Sequence, residues 1–306
     1  MQTPSYRLPA QTAVIVSTLL ATAAPALAES DLPLDDRDTL TGDWGGQRSA
    51  MVESGVEIGV EYIGEMFGNV SGGVDEGSVY TGRAELAVGL DLETLLGWRG
   101  ATIFANGYQI HGRSIASDYL GGNLLPPSNI DAGPSTRLFN LWLEQSLLDD
   151  RLAIRIGQIA ADDEFLGSDT AGTFLNGTFG WAATTANNMT EGGSAYPLAA
   201  PGVLVRGNPT DSVTVLAAAF AGDPTGPNNR NEAGTTFSLA GGVLYLAEVK
   251  YETDMIGGLP GTYSIGAGII TAASTISAST IPASLRTLPP PPARLSPMTT
   301  TTASTR

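Results

Sequence analysis

The sequence predicts an all-β protein, an antiparallel β-barrel of the bacterial outer membrane with a short helix before its first strand. Three observations carry this prediction. Several segments alternate apolar and polar residues with the period of two that a strand requires. Tight turns alternate with long loops along the chain, as in outer-membrane barrels. The composition combines 38 glycines with a charged fraction of only 15%, below the roughly 25% of an average soluble domain.

The composition also excludes several classes of function. The 306 residues contain no cysteine and one histidine, so disulfides, cysteine metal sites and multi-histidine metal sites are ruled out. The net charge of −16 offers no cationic surface to nucleic acid. We expect neither a metal nor a cofactor.

The first 28 residues have the three parts of a secretory signal peptide. Arg7 supplies the positive region, residues 13–24 the apolar region, and Ala26 to Ala28 a cleavage motif before Glu29. The apolar run is too short and too interrupted for a membrane-spanning helix. We therefore predict export with cleavage near Ala28, to the periplasm or, as the strand pattern favours, to the outer membrane of a Gram-negative bacterium.

The mature chain is predicted to begin with a segment that is not strand-like, residues 29–55. Asp43 can cap a short helix that runs through Trp44 and stops at Gly55.

Residues 56–270 are predicted to form the barrel strands. Their apolar residues recur at every second position over about the 9–11 residues that a tilted membrane strand needs. The clearest apolar runs are Val56, Ile58, Val60 and Tyr62; Ala84, Leu86, Val88, Leu90 and Leu92; Leu152, Ile154 and Ile156; and Val243, Tyr245, Ala247, Val249 and Tyr251.

Turn lengths support the barrel. Residues 148–151 and 208–211 are predicted to join strands almost directly, whereas residues 111–136, 160–202 and 221–238 are predicted to be long loops. The alternative is a soluble β-sandwich with long loops. A sandwich would carry charge freely on its exposed faces, but here the charges fall on one side of each strand, so the barrel is favoured.

Several motifs, in order, resemble the carbohydrate-selective (OprB-like) porin family. The opening motif at residues 40–48 is Leu-Thr-Gly-Asp-Trp-Gly-Gly-Gln-Arg. Similar stretches follow at residues 67–73, 141–145, 157–162, 174–181, 195–199 and 222–227. The resemblance implies a sixteen-stranded barrel that passes monosaccharides such as glucose by facilitated diffusion, with outer-membrane lipid around it. It also implies that residues 29–55, with the short helix around Trp44, lie on the periplasmic side near the mouth of the barrel. The resemblance leaves the oligomeric state open.

Sugar passage needs a wet, narrow channel whose walls exchange hydrogen bonds with hydroxyls. By alternation, the side chains expected to line it are Arg83, Glu85, Glu144, Arg155, Glu248 and Lys250, with Trp142 in the phase of Glu144. Each of them also fits a plainer interpretation, the polar interior that any water-filled barrel requires, because charge is costly on the lipid face.

Two functions of other classes stay open at this point. One is an outer-membrane barrel enzyme, for which a Ser/His/Asp triad would need the single histidine, His111; no G-x-S-x-G motif accompanies it. The other is a periplasmic sugar-binding protein. We expect no catalytic residue.

Residues 271–306 differ from the rest of the chain because they contain only Thr, Ala, Ser, Ile, Pro, Leu, Arg and Met. One interpretation is a disordered Pro/Thr-rich extension. We favour a second interpretation, in which the gene is translated in a shifted reading frame from near Gly268. A shift of one base turns codons for Asp, His and Tyr into codons for Thr, Ile and Ser. Either way, we predict no defined fold for this tail and an incomplete barrel before it.

Overall fold

The computed structural model describes residues 39–122, 126–168, 170–226, 230–256, 259–271 and 302–305. These residues form one antiparallel sheet in which every strand pairs with its neighbour in the sequence. Within the described ranges, the first and the last strand do not pair with each other, so the sheet is open. The all-β antiparallel fold predicted from the strand period is confirmed.

The strands are long and follow one another up and down. They are β1 (Val56–Asn69), β2 (Gly77–Asp91), β3 (Ala101–Gly112), β4 (Ser135–Leu147), β5 (Leu152–Ile159), β6 (Ala200–Thr210), β7 (Val213–Ala221), β8 (Val243–Ile256), β9 (Leu259–Thr271) and β10 (Thr302–Thr305). The short helices are α1 (Gln47–Glu53), α2 (Leu92–Leu96), α3 (Ile115–Asp118) and α4 (Ala183–Ala186). Within the described residues, no helix has the length and apolar character needed to cross a membrane.

One face of the sheet, the outer face, exposes apolar side chains. Val60 is 78% exposed, Ile156 54% and Ile265 59%. Apolar side chains in these numbers are stable only against lipid or another apolar surface. The exposed residues of this face include Val60, Tyr62, Met66, Leu86, Ile154, Ile156, Val203, Val215, Tyr245, Val249 and Ile265.

The opposite face, the inner face, carries the charged side chains and is covered by the loop between β5 and β6, residues 160–199. Phe165, Trp181 and Met189 of this loop pack in one apolar cluster with inward side chains of the strands, among them Leu204 and Phe220. The loop therefore lies against the inner face instead of extending away from the sheet.

Connection lengths differ between the two ends of the sheet. Residues 148–151 and 211–212 make tight turns at one end, whereas residues 113–134, 160–199 and 222–242 make long loops at the other. This asymmetry is typical of outer-membrane barrels. One predicted turn was displaced, because residues 208–210 belong to the end of β6, where the pairing with β7 shifts register after Gly207.

The helix before the first strand is present, but its start was predicted too early. Trp44 lies in a turn with φ of 53°, and α1 begins at Gln47. Asp43 nevertheless satisfies a free backbone donor of the first turn, because its Oδ1 accepts hydrogen bonds from the amide and the hydroxyl of Ser49, each at 2.8 Å. Asp43 therefore caps the helix as predicted, although it lies four residues before the first helical residue.

Leu92 was assigned to a strand on its spacing, and this was wrong. It is the first residue of α2, where it is buried at 4% exposure. Asp91 ends the strand because its side chain accepts hydrogen bonds from the amides of Glu93 and Thr94. Such capping starts a helix where the apolar alternation alone would continue the strand.

Two sequence predictions fall largely outside the described residues. The signal peptide, residues 1–28, lies outside them altogether. Of the predicted tail, residues 271–306, the structure describes Thr271 at the end of β9 and the short strand β10, which pairs with residues 261–264 of β9. The out-of-frame interpretation of the tail stays a prediction, which the sequence of the gene would test.

The outer face yields a first test. Ile156→Arg places a charge on the apolar face, and we expect it to lower the free energy of unfolding in phospholipid vesicles by about 2–4 kcal/mol if the site is near the bilayer centre. Asp150→Arg, in the tight turn after β4, is the control and should change it little. Equal effects of the two substitutions would show that the outer face does not contact lipid.

Candidate functional site on the inner face

The inner face carries a central ion-pair cluster of Glu144, Arg155, Glu164 and Arg206. Glu144 and Arg155 lie directly opposite each other on β4 and β5, so their side chains meet on one face of the sheet. Arg155 Nη2 is 2.7 Å from Glu144 Oε2 and 3.0 Å from Glu164 Oε1. Glu164 comes from the loop, so this arginine joins the sheet to the loop.

Arg206 completes the central ion-pair cluster from the next strand. In the β5–β6 register Arg155 faces Leu204, two residues before Arg206, so the two arginines are diagonal neighbours. Arg206 contacts Glu144 Oε1 at 3.2 Å and Glu164 Oε1 at 3.1 Å. Two cations thus alternate with two carboxylates, and the cluster has no net charge when all four are ionised.

Trp142 supports this cluster. The guanidinium carbon of Arg155 lies 4.0 Å from the centroid of the Trp142 ring, a cation–π contact. The ring also stacks on Phe104 at 5.1 Å. Trp142 is only 5% exposed, so it holds Arg155 in place and leaves little aromatic surface for a passing solute.

Glu248 and Lys250 hold the loop to β8. Glu248 Oε2 accepts a hydrogen bond from the amide of Leu166 at 2.8 Å, and Lys250 Nζ donates to the carbonyl of Glu164 at 2.6 Å. Between these two attachment points Phe165 is buried and packs edge-on against Phe220. The loop is therefore held to β8 by two hydrogen bonds from charged side chains, one on each side of the buried Phe165.

A second group of charges, the Arg83 cluster, consists of Glu61, Arg83 and Glu85 on β1 and β2. Arg83 Nη2 lies 3.0 Å from Glu61 Oε2 and 3.5 Å from Glu85 Oε2. Its guanidinium also lies over the rings of Tyr108, at 4.7 Å, and Tyr196, at 5.7 Å. Tyr196 belongs to the loop, so this cluster too contacts both the sheet and the loop.

Two buried asparagines connect the Arg83 cluster to the loop. Asn106 donates to Glu85 Oε1 at 2.7 Å, and its own carbonyl oxygen accepts from the amide of Asn140 at 2.9 Å. The Asn140 side chain donates to Asp163 Oδ2 at 2.9 Å. Asn140 faces inward because it lies two residues before Trp142 on β4 and therefore shares its phase.

Asp162, beside this chain of hydrogen bonds, is held in an unusual environment. Its Oδ2 accepts the amide of Tyr196 at 2.9 Å, whereas Oδ1 is buried without a hydrogen-bond partner in the described structure. Burial disfavours the charged form and raises the pKa of Asp162 to about 6.

The structure places all the predicted lining residues on the inner face, but at different depths. Trp142, Arg83, Glu144, Arg155 and Glu248 are each at most 6% exposed, because the loop covers them. Glu85 and Lys250 are partly exposed. The buried members organise the loop, and the surface that water reaches is supplied largely by other residues.

Sequence reasoning missed several further residues of the inner face and its loop, some of them buried. Arg206 shares the phase of Leu204 on β6, and Glu61 lies on the polar side of β1, so the alternation contained a signal for both. Loop residues have no period, and nothing in the sequence indicated that they fold back. The residues missed are Glu61, Asn106, Tyr108, Asn140, Asp163, Glu164, Tyr196 and Arg206.

Chemistry other than ion pairing has little support at this face. The described ranges contain no group of three or more His, Asp or Glu side chains arranged to hold a metal ion. His111 lies near the end of β3, where its Nε2 is 3.0 Å from the hydroxyl of Tyr62, an outer-face residue. The single histidine is thus separated from the inner-face carboxylates by the sheet.

Comparisons with known proteins agree with this geometry. The family model described as carbohydrate-selective porin, OprB family, matches residues 75–293. Porin B of Pseudomonas aeruginosa is 29% identical over 133 residues, which are 41% of this chain and 29% of that protein. The putative porin QuiX of Acinetobacter baylyi is 22% identical over 150 residues, 45% of this chain and 33% of that protein.

A solved structure shares the fold. The high-pH structure of Pseudomonas putida OprB has a TM-score of 0.66 and is 24% identical, and the match covers 77% of this chain and 57% of that one. The chain therefore spans about a third of the curated relatives and less than two thirds of the solved relative.

The central ion-pair cluster yields a second test. Arg155→Leu leaves Glu144 buried with weaker compensation, and we expect it to lower the free energy of unfolding in detergent by about 3–5 kcal/mol. Removing both partners, in Arg155→Leu with Glu144→Leu, should cost less than the single change. The control is Arg113→Leu, whose ion pair with Asp118 is exposed and should matter little. A double variant as unstable as the sum of its single variants would show that the pair is not coupled.

Asp162 yields a third test, on pH. Its raised pKa means that the folded state holds the proton more tightly than the unfolded chain, so its contribution to stability rises as the pH falls from about 7.5 to 5. Asp162→Asn removes this titration and keeps an oxygen for the amide of Tyr196. We expect the variant to be more stable than the parent at the higher pH, with the gap narrowing at the lower pH in urea unfolding. A gap independent of pH would contradict the assignment.

Proposed function

Because the chain belongs to the carbohydrate-selective porin, OprB family, we propose that it gives monosaccharides such as glucose a water-filled path across the outer membrane by facilitated diffusion. The observation that carries this proposal is the balance of charge in and beside the central ion-pair cluster. Arg155, Arg206 and Lys250 lie among Glu144, Glu164 and Glu248, equal numbers of cations and carboxylates.

Balanced charge suits neutral solutes with many hydroxyls. A hydroxyl can donate to a carboxylate and accept from a cationic side chain, and the partly exposed Glu164, Arg206 and Lys250 offer charge-assisted hydrogen bonds of both kinds. Since the ionised groups already satisfy one another, a sugar gains only modestly by displacing water from them. Binding of this strength allows both entry and release, which passage requires.

The two faces of the sheet support the membrane part of the proposal. The outer face is apolar on every strand from β1 to β9, which suits contact with lipid and argues against a soluble periplasmic sugar-binding protein. We propose that the long loops lie outside the cell and the tight turns in the periplasm, with α1 beside the turns. Export by the predicted signal peptide, cleaved near Ala28, is part of the same proposal.

The enzyme alternative is disfavoured by the position of His111. A serine nucleophile on the inner face would need a general base within hydrogen-bond reach, and the histidine contacts outer-face residues instead. The relatives reported above are porins, which are channels and not enzymes. We therefore propose passive passage without a chemical step.

Vesicle swelling tests the proposed function. Vesicles that contain the reconstituted chain should swell in iso-osmotic glucose faster than protein-free vesicles, and faster than in a trisaccharide too large for a narrow lining. Arg206→Ala, at a partly exposed position of the inner face, should change the glucose rate, whereas the outer-face control Ile265→Leu should not. A glucose rate equal to that of protein-free vesicles would overturn the proposal.

A further inference from the structure

The outer face carries a polar cluster, the His111 cluster, made of Tyr62 on β1, Tyr80 on β2, and Gln109 and His111 on β3. It lies toward the long-loop end of the sheet, because Tyr80 is near the start of β2 and His111 is the last residue but one of β3. Tyr62 and Tyr80 are 52% and 44% exposed. An ionisable side chain among lipid-facing residues is costly and usually has a function.

The rings of the His111 cluster lie flat on the sheet. The His111 ring stacks on that of Tyr62, with centroids 5.8 Å apart, and is tilted against that of Tyr80 at 6.1 Å. A side chain at Gly82 would collide with the His111 ring, and one at Gly64 with the Tyr80 hydroxyl. The two glycines therefore provide the space in which the cluster rests.

The four side chains form one chain of hydrogen bonds. His111 Nδ1 is 2.9 Å from Gln109 Oε1, and His111 Nε2 is 3.0 Å from the hydroxyl of Tyr62. The Tyr62 hydroxyl is in turn hydrogen-bonded to that of Tyr80. Because a carbonyl oxygen can only accept, Nδ1 donates to Gln109. In the neutral ring Nε2 then accepts from Tyr62, whose oxygen accepts from Tyr80.

The number of protons in this chain determines what it can offer to a partner. With neutral His111, the protons on Nδ1, Tyr62 and Tyr80 serve the three contacts, and none is left over. A proton added at Nε2 gives four protons to the same three contacts. One tyrosine hydroxyl is then free to donate outward, close to a positive charge. Imidazole is the side chain whose ordinary charge change falls between about pH 5 and 8.

The surroundings of His111 do not supply an anion for this charge. The titratable groups that face the ring are Tyr62 and Tyr80, on the neighbouring strands. Next to Tyr80, the amide of Arg113 donates to the Tyr80 carbonyl, and the Arg113 side chain pairs with Asp118 at 2.7 Å. In the described part of the chain the hydrogen-bond partners of His111 are neutral, so a counter-ion has to come from outside the cluster.

We propose that the His111 cluster binds a phosphate group of an outer-leaflet glycolipid when His111 is protonated, and that the tyrosine hydroxyl freed by the added proton donates to the phosphate. The inference goes beyond sugar passage and rests only on the proposed orientation, which places the long-loop end at the outer surface of the membrane. Phosphate fits because the protonated cluster combines a positive charge with an O–H donor. Loss of the proton removes both, so the neutral cluster releases the lipid.

The single histidine of the chain allows a direct test. The imidazole nitrogen NMR signals of the isotope-labelled full chain in detergent should show the neutral ring protonated on Nδ1 at about pH 8. Diphosphoryl lipid A, added at about pH 6.5, should raise the protonated fraction, because binding and protonation favour each other. Dephosphorylated lipid A should leave it unchanged. A protonated fraction that diphosphoryl lipid A does not change, or a neutral ring protonated on Nε2, overturns the proposal.

Retention of lipid A through gel filtration measures the contact itself. The parent chain should retain several-fold more diphosphoryl lipid A at about pH 5.5 than at about pH 8. His111→Gln cannot take up the proton and should lose this difference.

A second variant covers a failure of His111→Gln to fold. Tyr62→Phe with Tyr80→Phe keeps both rings but removes both hydroxyls, and should lower retention at the acidic pH several-fold. The matched control is Tyr245→Phe with Tyr251→Phe, two exposed tyrosines of the outer face on β8, which should retain lipid A like the parent. Equal retention by the two double variants overturns the role of the hydroxyls.

The remaining results separate this contact from the proposed function. A pH dependence of retention that persists in His111→Gln, or equal retention of the phosphorylated and dephosphorylated lipids by the parent, overturns the contact. His111→Gln should leave vesicle swelling in glucose unchanged, because the residue lies on the outer face. Slower swelling in that variant would contradict the assignment of the cluster to lipid, whereas a parent chain that gives no swelling overturns the proposed function alone.

Discussion

A sheet between lipid and water can carry charge on only one of its faces, and the rest of this structure depends on that constraint. A charged side chain at the lipid face costs about 2–4 kcal/mol near the bilayer centre. The charges of β1 to β8 therefore crowd onto the inner face, where they must pair with one another. Arg155 and Glu144 meet this demand directly, as opposite residues on adjacent strands.

The pairing is incomplete without the loop, and this explains the loop's position. Two strand arginines need more carboxylate than Glu144 supplies, and Glu164 provides it to both. Glu248 and Lys250 then use backbone groups of the same loop as partners. A connection built of short helical turns is in this way held against the inner face, and its side chains form part of the surface that meets water.

The sequence predicts the parts of the fold that repeat and misses those that do not. The period of two specified the strands and the inner face, since Arg83, Glu144, Arg155, Glu248 and Lys250 all share the side that alternation assigned to them. The alternation does not indicate how deeply a side chain is buried. Trp142 was therefore expected to offer its ring to a sugar, although Arg155 and Phe104 pack against that ring. Asn140 shares the phase of Trp142 and Glu144 on β4, so the alternation contained a signal for it, but an uncharged side chain was not considered as a lining residue.

The division between buried and exposed groups bears on how a channel can be selective without binding tightly. Charges that are buried and paired, such as Arg155 with Glu144, present little field of their own to a solute and would cost energy to separate. A charge that is partly exposed and held by its partners, as Arg206 is by Glu144 and Glu164, offers a fixed donor in competition with water. Hydroxyls exchange readily at such a site because water replaces them when they leave. Under the proposed function, selectivity for sugars arises from where such a donor is held, and rapid release from its exposure.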